Sequence, residues 1–293
     1  LRRGCLPGEA AAIITLRALR QRAAASGRFP KEMAEEMLAT DKLLQQASSM
    51  RLAIWKGRRL AELLGTRNVH ESRSMGVPGP SGSPVEPVKT DEQHGRDGRA
   101  THGQVLGTPL GGPRPDGDAR ATEVWDLCCG LGSDSIGLAR AGLAVRGVDN
   151  DPAAVLCATH NARAAGLGDL CTFEVADVER LELPADAVVH IDPDRRASGR
   201  RSIDLDDFSP AGPTLTRIVA RTRAGALKLP PGADALELQS IAAGLFEYVS
   251  EAGICKQLVA WWHHEDHARP DMPARRATVL TGPLEDPQAT SID

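Results

Sequence analysis

Two short acidic segments, each following a predicted buried strand, hold residues well suited to chemistry in this chain. The first is the turn at 124–134, where Gly130 and Gly132 let the backbone approach a ligand closely because neither has a Cβ. The second ends in Asp149 and Asn150. Asp149 lies 19 residues after Gly130, about where a βαβ unit places a carboxylate that holds ribose hydroxyls. Together the segments predict a site for an adenosine-containing cofactor.

The charge of the turn separates two classes of cofactor. A dinucleotide fingerprint has a third glycine three residues after the second, with a helix N-terminus facing pyrophosphate, but Ser135 stands there in this chain. The turn instead carries Asp126 and Asp134. Carboxylates repel a pyrophosphate and attract a sulfonium or an α-amino group. An NAD-dependent oxidoreductase is therefore a disfavoured alternative, and no dyad for hydride transfer is identifiable.

Three later strand ends also place candidate residues. Asp177 follows the predicted third strand, Asp192 and Pro193 follow the fourth, and Lys228 ends the fifth. In open α/β sheets, ligands bind outside the carboxyl ends of the strands. Lys228 could contact a substrate or orient Asp192, and a purely structural ion pair is the alternative. We therefore expect these residues at one edge of the sheet.

Arginines surround the loop that follows the fourth strand. They are Arg195, Arg196, Arg200 and Arg201. At the mouth of an active site they would attract phosphates. Asp204, Asp206 and Asp207 come shortly afterwards and could pair with the arginines instead, so both interpretations stay open.

The composition indicates a soluble globular protein. Of 293 residues, 41% are hydrophobic and 25% charged, and no apolar run approaches the roughly 20 residues of a membrane span. Aromatic residues make up only 3%, which argues against base-stacking platforms for single strands. Arginines interrupt the N-terminal apolar stretch, so we expect no signal peptide. The six cysteines fit no disulfide or zinc pattern, which predicts reduced thiols and a cytoplasmic location.

Two charge patterns leave more than one interpretation. Residues 1–65 carry 12 Lys and Arg against 6 Asp and Glu, although the whole chain has a net charge of −4. This basic arm is compatible with nucleic-acid contact or with a solvated helix surface. The cluster at 263–267 contains three histidines, but consecutive residues rarely all face one ion, so we predict no metal site.

The pattern along the chain predicts four regions. Residues 1–66 form a helical N-terminal region, with helices at 8–25 and 31–64 and a break near Ser48 and Ser49. Residues 67–121 are a disordered insertion, because 76–118 holds ten Gly and seven Pro and few apolar residues. Residues 122–283 form the catalytic domain, and 284–293 a loose tail.

Within 122–283, short apolar segments alternate with helical ones, as in a parallel sheet covered on both faces. The predicted strands are 123–127, 144–148, 171–175, 187–191 and 224–228. The predicted helices are 133–141, 152–165 and 213–221. Segments 246–250 and 255–262 predict an antiparallel hairpin, and 277–280 a further edge segment.

These motifs together resemble a bacterial group of class I S-adenosylmethionine (SAM) methyltransferases. The segments that carry the resemblance are 126–132, 148–152, 160–162, 192–196, 199–201 and 228–229. The resemblance extends over about 10–70 and 122–282. It implies an α/β fold with a Rossmann-like seven-stranded sheet, parallel except for a C-terminal antiparallel hairpin. Members often carry a THUMP-like C-terminal domain, expected here to be absent or truncated, and are distantly similar to trimethylguanosine synthases.

The resemblance implies roles for the residues of the turn and the strand ends. Those that would surround the methionine part of SAM are Asp126, Cys128, Gly130, Gly132 and Asp134. Cys128 stands where many members have glycine. Asp149, with Asn150, would hold the ribose. Asp177 would accept a hydrogen bond from the adenine amino group, and Val178 would pack on the ring.

Residues 192–195 resemble the Asp-Pro-Pro motif of nucleic-acid methyltransferases. There the carboxylate and a backbone carbonyl hold an amine nucleophile, which implies Asp192, Pro193, Arg195 and Lys228 as catalytic residues. Asp194 replaces the second proline and Arg195 the aromatic residue, which argues against a flipped adenine stacked on tyrosine. We therefore expect methyl transfer to a nitrogen on RNA, with Arg195 and the neighbouring arginines as substrate contacts.

Two alternatives to an RNA nitrogen acceptor follow from the same loop. A carbon target on a pyrimidine would need an activated cysteine, and Cys255 in a predicted strand is a poor candidate. The altered residues Asp194 and Arg195 also permit a non-catalytic protein that uses the SAM fold for binding or as a scaffold.

Overall fold

A computed structural model of the chain describes residues 7–66, 122–195, 204–233, 244–264 and 275–293. The helices are α1 (Pro7–Ala25), α2 (Lys31–Glu36), α3 (Asp41–Gln46), α4 (Met50–Leu63), α5 (Ser133–Arg140), α6 (Pro152–Ala164) and α7 (Gly212–Arg221). The strands are β1 (Glu123–Leu127), β2 (Ala144–Asp149), β3 (Cys171–Val175), β4 (Val188–Ile191), β5 (Ala224–Leu229), β6 (Leu245–Glu251), β7 (Ile254–His263), β8 (Arg275–Thr281) and β9 (Gln288–Ile292). None of the helices in these ranges is long and apolar enough to cross a membrane. The predicted insertion at 67–121 lies outside the described residues.

The strands of the described ranges form one sheet in the order β3-β2-β1-β4-β5-β7-β6-β8-β9. β1 pairs in parallel with both β2 and β4, and β5 pairs in parallel with β4. β6 and β7 are antiparallel to each other, and β7 is antiparallel to β5. The strand order reverses between β1 and β4, which is where open α/β sheets bind ligands. The predicted Rossmann-like sheet with a C-terminal hairpin is confirmed.

The predicted number of seven strands is wrong, because the sheet has nine. β8 pairs in parallel with β6, and β9 pairs antiparallel with β8. The predicted edge segment 277–280 is therefore an inner strand, and the predicted loose tail 284–293 contains the edge strand. All five residues of β9 are exposed, so the segment shows no alternation of buried and solvated positions that could mark a strand.

The sheet is covered on both faces, as its apolar strands require. One hydrophobic cluster joins the sheet to α4, α5 and α6, and includes Leu52, Ile136 and Val145. The other joins the opposite face to α7 and includes Leu127 and Leu215. The N-terminal helices thus share a core with the sheet.

The predicted helix 31–64 is divided into three helices. The predicted break at Ser48 and Ser49 is present, and the Ser49 hydroxyl caps α4 by accepting a hydrogen bond from the Leu52 amide, 3.3 Å away. A second break, which the sequence analysis did not predict, separates α2 from α3, where the Thr40 hydroxyl accepts from the Leu43 amide at 3.3 Å. These caps satisfy amide groups that the first turn of a helix leaves without partners.

The backbones of helices α4 and α5 approach each other closely because each helix has a glycine at the contact. A Cβ on Gly137 of α5 would lie 2.3 Å from the carbonyl carbon of Ala53. A Cβ on Gly57 of α4 would lie 2.4 Å from the carbonyl oxygen of Gly137. Only glycine permits this approach. The contact brings Lys56 of α4 against the first turn of α5.

Candidate active site

A cleft of about 380 Å³ opens beside the carboxyl ends of the parallel strands, a size typical of small-molecule sites, which span about 300–1,000 Å³. The predicted site residues that line it are Cys128, Gly130, Asp134, Asp149, Asn150, Asp177, Val178, Asp192, Pro193, Arg195 and Lys228. The opposite wall comes from α3 and the residues after it, including Lys42, Gln46 and Ser48. The structure therefore brings the two acidic segments and the three later strand ends together.

Two predicted residues lie elsewhere than expected. Asp126 has no exposed surface and lies behind the cleft, where it accepts hydrogen bonds from the Ser135 hydroxyl at 2.5 Å and from His190 Nδ1 at 2.7 Å. Gly132 faces α6, and a Cβ there would lie 3.1 Å from the Cα of Ala158. Both residues support the turn rather than line the cleft. Arg196, Arg200 and Arg201 lie outside the described residues, as does part of the histidine cluster at 263–267.

The turn after β1 is shaped by residues with positive φ angles. Gly130 has φ +56°, and the position of its missing Cβ is open except for Leu43, 3.9 Å away. Cys128 has φ +60°, a conformation that favours glycine and costs free energy for other residues. Burial, together with the carboxylates of Asp149 and Asp192, raises the pKa of the Cys128 thiol well above its usual range. The thiol is therefore protonated and poorly nucleophilic.

Asp149 stabilises the turn while it faces the cleft. Its carboxylate accepts hydrogen bonds from the backbone amides of Gly130 at 2.9 Å and Asp151 at 3.0 Å. Burial raises the pKa of Asp149, and these two amides partly offset that effect. Carboxylate oxygens have further lone pairs, so the residue can still accept from a ligand.

Asp177 and Val178 lie at the far end of the cleft, beyond β3. Asp177 is exposed and accepts a hydrogen bond from the Glu179 amide at 3.0 Å. Val178 is 5% exposed and packs in the hydrophobic cluster beneath. This pair offers an acceptor beside an apolar surface, which suits a purine ring with an amino group.

Asp192 and Lys228 form an ion pair at the carboxyl ends of β4 and β5. The Lys228 ammonium lies 2.5 Å from the Asp192 carboxylate and donates to the Ser48 hydroxyl at 3.1 Å. Burial would lower the pKa of Lys228, but the carboxylates of Asp192 and Asp134 raise it. The contact fits a lysine that orients Asp192.

Asp194 connects this loop to the opposite wall of the cleft. Its carboxylate accepts a hydrogen bond from the Gln46 amide at 2.9 Å and forms an ion pair with Lys42 at 3.0 Å. Its backbone pairs with Ser209 in both directions, at 2.9 and 3.0 Å. The aspartate that replaces the second proline of the motif therefore fixes α3 over the loop.

A chain of polar side chains runs from the wall of the cleft into the interior beside it, and its central members were not predicted from the sequence. Lys56 lies 2.7 Å from the Asp134 carboxylate and 3.0 Å from His190 Nε2. The Ser48 hydroxyl donates to the other oxygen of Asp134 at 2.9 Å. We call Asp126, His190, Lys56, Asp134, Ser48, Lys228 and Asp192 the polar chain. The available signal was Lys56 itself, which lies four residues from Leu52 and from Leu60 on a buried helical stripe.

The basic residues of the N-terminal region act largely as internal tethers. Arg20 donates to the carbonyl of Met37 at 3.0 Å, and Arg28 donates to the carbonyl of Leu44 at 2.8 Å. Arg51 pairs with Glu251 of the sheet at 2.8 Å. These contacts use charges that the sequence analysis assigned either to nucleic acid or to solvent.

Two further features concern ligands. Ser133, at the first turn of α5, lines the cleft, and its hydroxyl is buried without a hydrogen-bond partner in the described structure. A buried hydroxyl of this kind fits a polar ligand group that would form the missing hydrogen bond.

Among all the residues that the structure describes, no group of three or more His, Cys, Asp or Glu side chains is arranged to hold a metal.

Comparisons with known proteins agree with this geometry. A family model described as a methyltransferase domain matches residues 124–192. An uncharacterized S-adenosylmethionine-dependent methyltransferase of Mycobacterium tuberculosis is 35% identical over 141 residues, which are 47% of this chain and 38% of that protein. A 23S rRNA (uracil(1939)-C(5))-methyltransferase of Acidithiobacillus ferrooxidans is 30% identical over 106 residues, covering 36% and 19%. The match therefore spans well under half the length of either relative.

Among solved structures, one from Porphyromonas gingivalis W83, assigned as a methyltransferase, superposes with a TM-score of 0.60 at 17% identity. The superposition covers 98% of this chain and 59% of that one. At this identity the likeness concerns the fold, and it extends over the N-terminal helices as well as the sheet. Residues 124–192 therefore match a methyltransferase domain, and the chain shares the fold of a methyltransferase structure.

Proposed function

We propose that the protein is a SAM-dependent methyltransferase that transfers a methyl group to a nitrogen atom on RNA. The observation that carries the proposal is the cleft, which places the acid-bracketed glycine turn opposite the Asp192–Lys228 ion pair. One side of the cleft suits a cationic nucleoside cofactor. The other presents an oriented carboxylate to an acceptor.

The residues of the cleft fit SAM, which supplies an electrophilic methyl group on a sulfonium. Asp149 would hold the ribose hydroxyls, and Asp177 with Val178 would receive the adenine. Asp134 and the free hydroxyl of Ser133 would face the methionine part. Asp126 acts from behind, because it holds Ser135 and His190 rather than a ligand.

Methyl transfer is an in-line displacement, so the contribution of the protein is mainly position and the exclusion of water. Asp192 accepts a hydrogen bond from an amine acceptor and so directs the nitrogen lone pair. Lys228 holds the Asp192 carboxylate in place through their ion pair. Arg195 lines the same end of the cleft and would contact a phosphate of the acceptor.

The names of the A. ferrooxidans relative and of a Vibrio cholerae relative, a 23S rRNA (uracil(747)-C(5))-methyltransferase, support RNA as the substrate class.

The state of the cysteine thiols favours a nitrogen acceptor over a pyrimidine carbon. Carbon methylation needs an activated thiolate. Among the described cysteines, Cys128 and Cys129 line the cleft, but burial raises the pKa of both thiols well above its usual range. Cys255 lies on β7 and does not line the cleft.

Two substitutions test the roles of the two sides of the cleft. Asp149→Ala removes a ribose acceptor, and we expect SAM affinity to fall roughly tenfold, as for the loss of a charged hydrogen bond. Asp192→Ala should leave SAM affinity unchanged and lower methyl transfer by roughly 100-fold or more, the scale expected for losing a positioned carboxylate. The measurements are calorimetric titration with SAM and incorporation of radiolabelled methyl groups into total RNA.

Asp207→Ala is the matched control, since this exposed acid lies in the same loop region but does not line the cleft, and both activities should persist. Loss of SAM binding in Asp192→Ala would indicate a structural role for Asp192. SAM binding by the unsubstituted protein without transfer to any RNA fraction would reject the RNA acceptor and favour the non-catalytic scaffold.

A further inference from the structure

The N-terminal region supplies a buried cation to the methyltransferase domain. Lys56 lies on α4, well before the segment 124–192 that matches the family. Its side chain is 1% exposed and does not line the cleft, but it contacts Asp134, which does. Lys56 is therefore one ion pair away from the cofactor end of the cleft.

Lys56 also extends the polar chain into the interior. Its ammonium group lies 3.0 Å from Nε2 of His190, and Nδ1 of the same ring lies 2.7 Å from Asp126. The buried cation therefore connects Asp134 at the cleft with His190 in the interior.

Lys56 places one positive charge beside the Asp134 carboxylate, next to the cofactor end of the cleft. SAM carries one net positive charge, since its sulfonium and ammonium groups outnumber its carboxylate. S-adenosylhomocysteine (SAH), the product, has lost the sulfonium charge and is neutral. A charge near the cofactor end therefore changes the affinity for SAM more than the affinity for SAH.

We propose that Lys56 is a specificity-determining residue. Its buried ammonium group reduces the negative charge at the cofactor end and so keeps the preference for SAM over SAH moderate. This inference rests on the proposed function, because it takes SAM as the cofactor. Without Lys56, the site would hold SAM more tightly relative to SAH. With it, the difference in affinity between cofactor and product stays moderate.

The electrostatic state of the pair supports a charged Lys56. Burial lowers the pKa of Lys56, and the Asp134 carboxylate partly offsets this. Burial alone would raise the pKa of Asp134, but Lys56, His190 and Lys228 bring it well below its usual range. An ionised Asp134 beside a fully buried lysine is an ion pair, since an uncompensated charge at this depth would be too costly.

Calorimetric titration of the full chain with SAM and with SAH tests the proposal, and the measured quantity is the ratio of the two affinities. Two unit charges on the order of 10 Å apart, at an effective dielectric constant of about 20, change a binding constant roughly tenfold. Lys56→Gln should therefore raise the preference for SAM about tenfold. Asp134→Asn should lower it by a similar factor. The double variant restores the net charge and should return the ratio to near its original value.

Lys31→Gln is the matched control, because Lys31 is exposed and pairs only weakly with Glu35 at 3.8 Å; its ratio should not change. If Lys56→Gln alone does not fold, the double variant can be compared with Asp134→Asn instead. The preference for SAM over SAH should then be about tenfold higher in the double variant than in Asp134→Asn. An unchanged ratio in the Lys56 variants would overturn the proposal while SAM binding upheld the function. An equal decrease of the affinity ratio in Asp134→Asn and in the double variant would also overturn it, since the charge of Lys56 would then have no effect on the preference for SAM. Binding of neither ligand by the unsubstituted protein would instead reject the proposed function.

Discussion

Two ion pairs lie on either side of Ser48, and they differ in how much water reaches them. In Lys56–Asp134 the side chains are 1% and 8% exposed, whereas in Lys228–Asp192 they are 12% and 23% exposed. The first pair joins α4 to α5 and lies behind the cofactor end. The second joins β5 to β4 and faces the acceptor end.

Because of this difference in hydration, the two ion pairs have different electrostatic roles in the same cleft. A deeply buried pair is costly to break, because the remaining partner is left uncompensated in a medium of low polarity. A pair at the cleft surface can exchange partners with a ligand at little cost, because water already reaches it. We therefore expect the Lys56–Asp134 pair to keep a constant charge, and the Asp192 carboxylate to be able to change its partner when a ligand binds.

The largest expected effect comes from breaking each pair at its lysine. Lys56→Met should lower the free energy of unfolding by about 3–5 kcal/mol, as for other buried pairs that lose one partner. Lys228→Met should cost only about 1–3 kcal/mol, because Asp192 remains partly hydrated. Urea unfolding followed by circular dichroism measures both. Equal losses would contradict the distinction between the two ends.

A smaller effect should follow from separating α4 and α5, the helices that bring Lys56 to Asp134. Gly137→Ala introduces a Cβ 2.3 Å from the backbone of Ala53, and we expect a loss of roughly 1–3 kcal/mol. Gly8→Ala is the control, since Gly8 lies in a helix and its Cβ would meet nothing within 4 Å. The same urea titration should show no loss there. Full stability of Gly137→Ala would mean that the close helix contact is dispensable.

The smallest effect is the pH dependence that Asp134 contributes. Its pKa is lowered in the folded protein by Lys56, after burial has acted in the opposite direction. The stabilisation is therefore complete above the ordinary carboxyl pKa near 4 and is lost as the pH falls through the lower folded value. The free energy of unfolding should decline below about pH 4, by at most about 1.4 kcal/mol per pH unit from this group. Asp134→Asn should decline less steeply, and identical slopes would exclude an ionised Asp134.

The sequence predicted the parts of the cleft that follow from local pattern. The turn at 124–134 and the carboxylate of Asp149 were identified because βαβ units place glycines and an acid at regular spacing. The hairpin of β6 and β7 was identified from apolar segments on either side of a short turn. β9 was missed because all five of its residues are exposed, and its pairing depends on β8 rather than on its own pattern.

The opposite wall could not be predicted, because its contacts join residues far apart in the chain. Ser48 and Asp134 are 86 residues apart, and Gln46 and Asp194 are 148 apart. A serine or a glutamine near a helix end forms no motif. The contacts of Ser48 with Asp134 and of Gln46 with Asp194 are therefore visible only in the folded structure. Lys56 was the one residue whose position on an apolar stripe indicated a buried partner.

Whether this cleft binds SAM can be measured by calorimetric titration of the unsubstituted protein with SAM, SAH and NAD(H). We expect micromolar binding of SAM and SAH, with SAM the tighter ligand, and no binding of NAD(H). Binding of NAD(H), or of none of the three, would contradict this expectation.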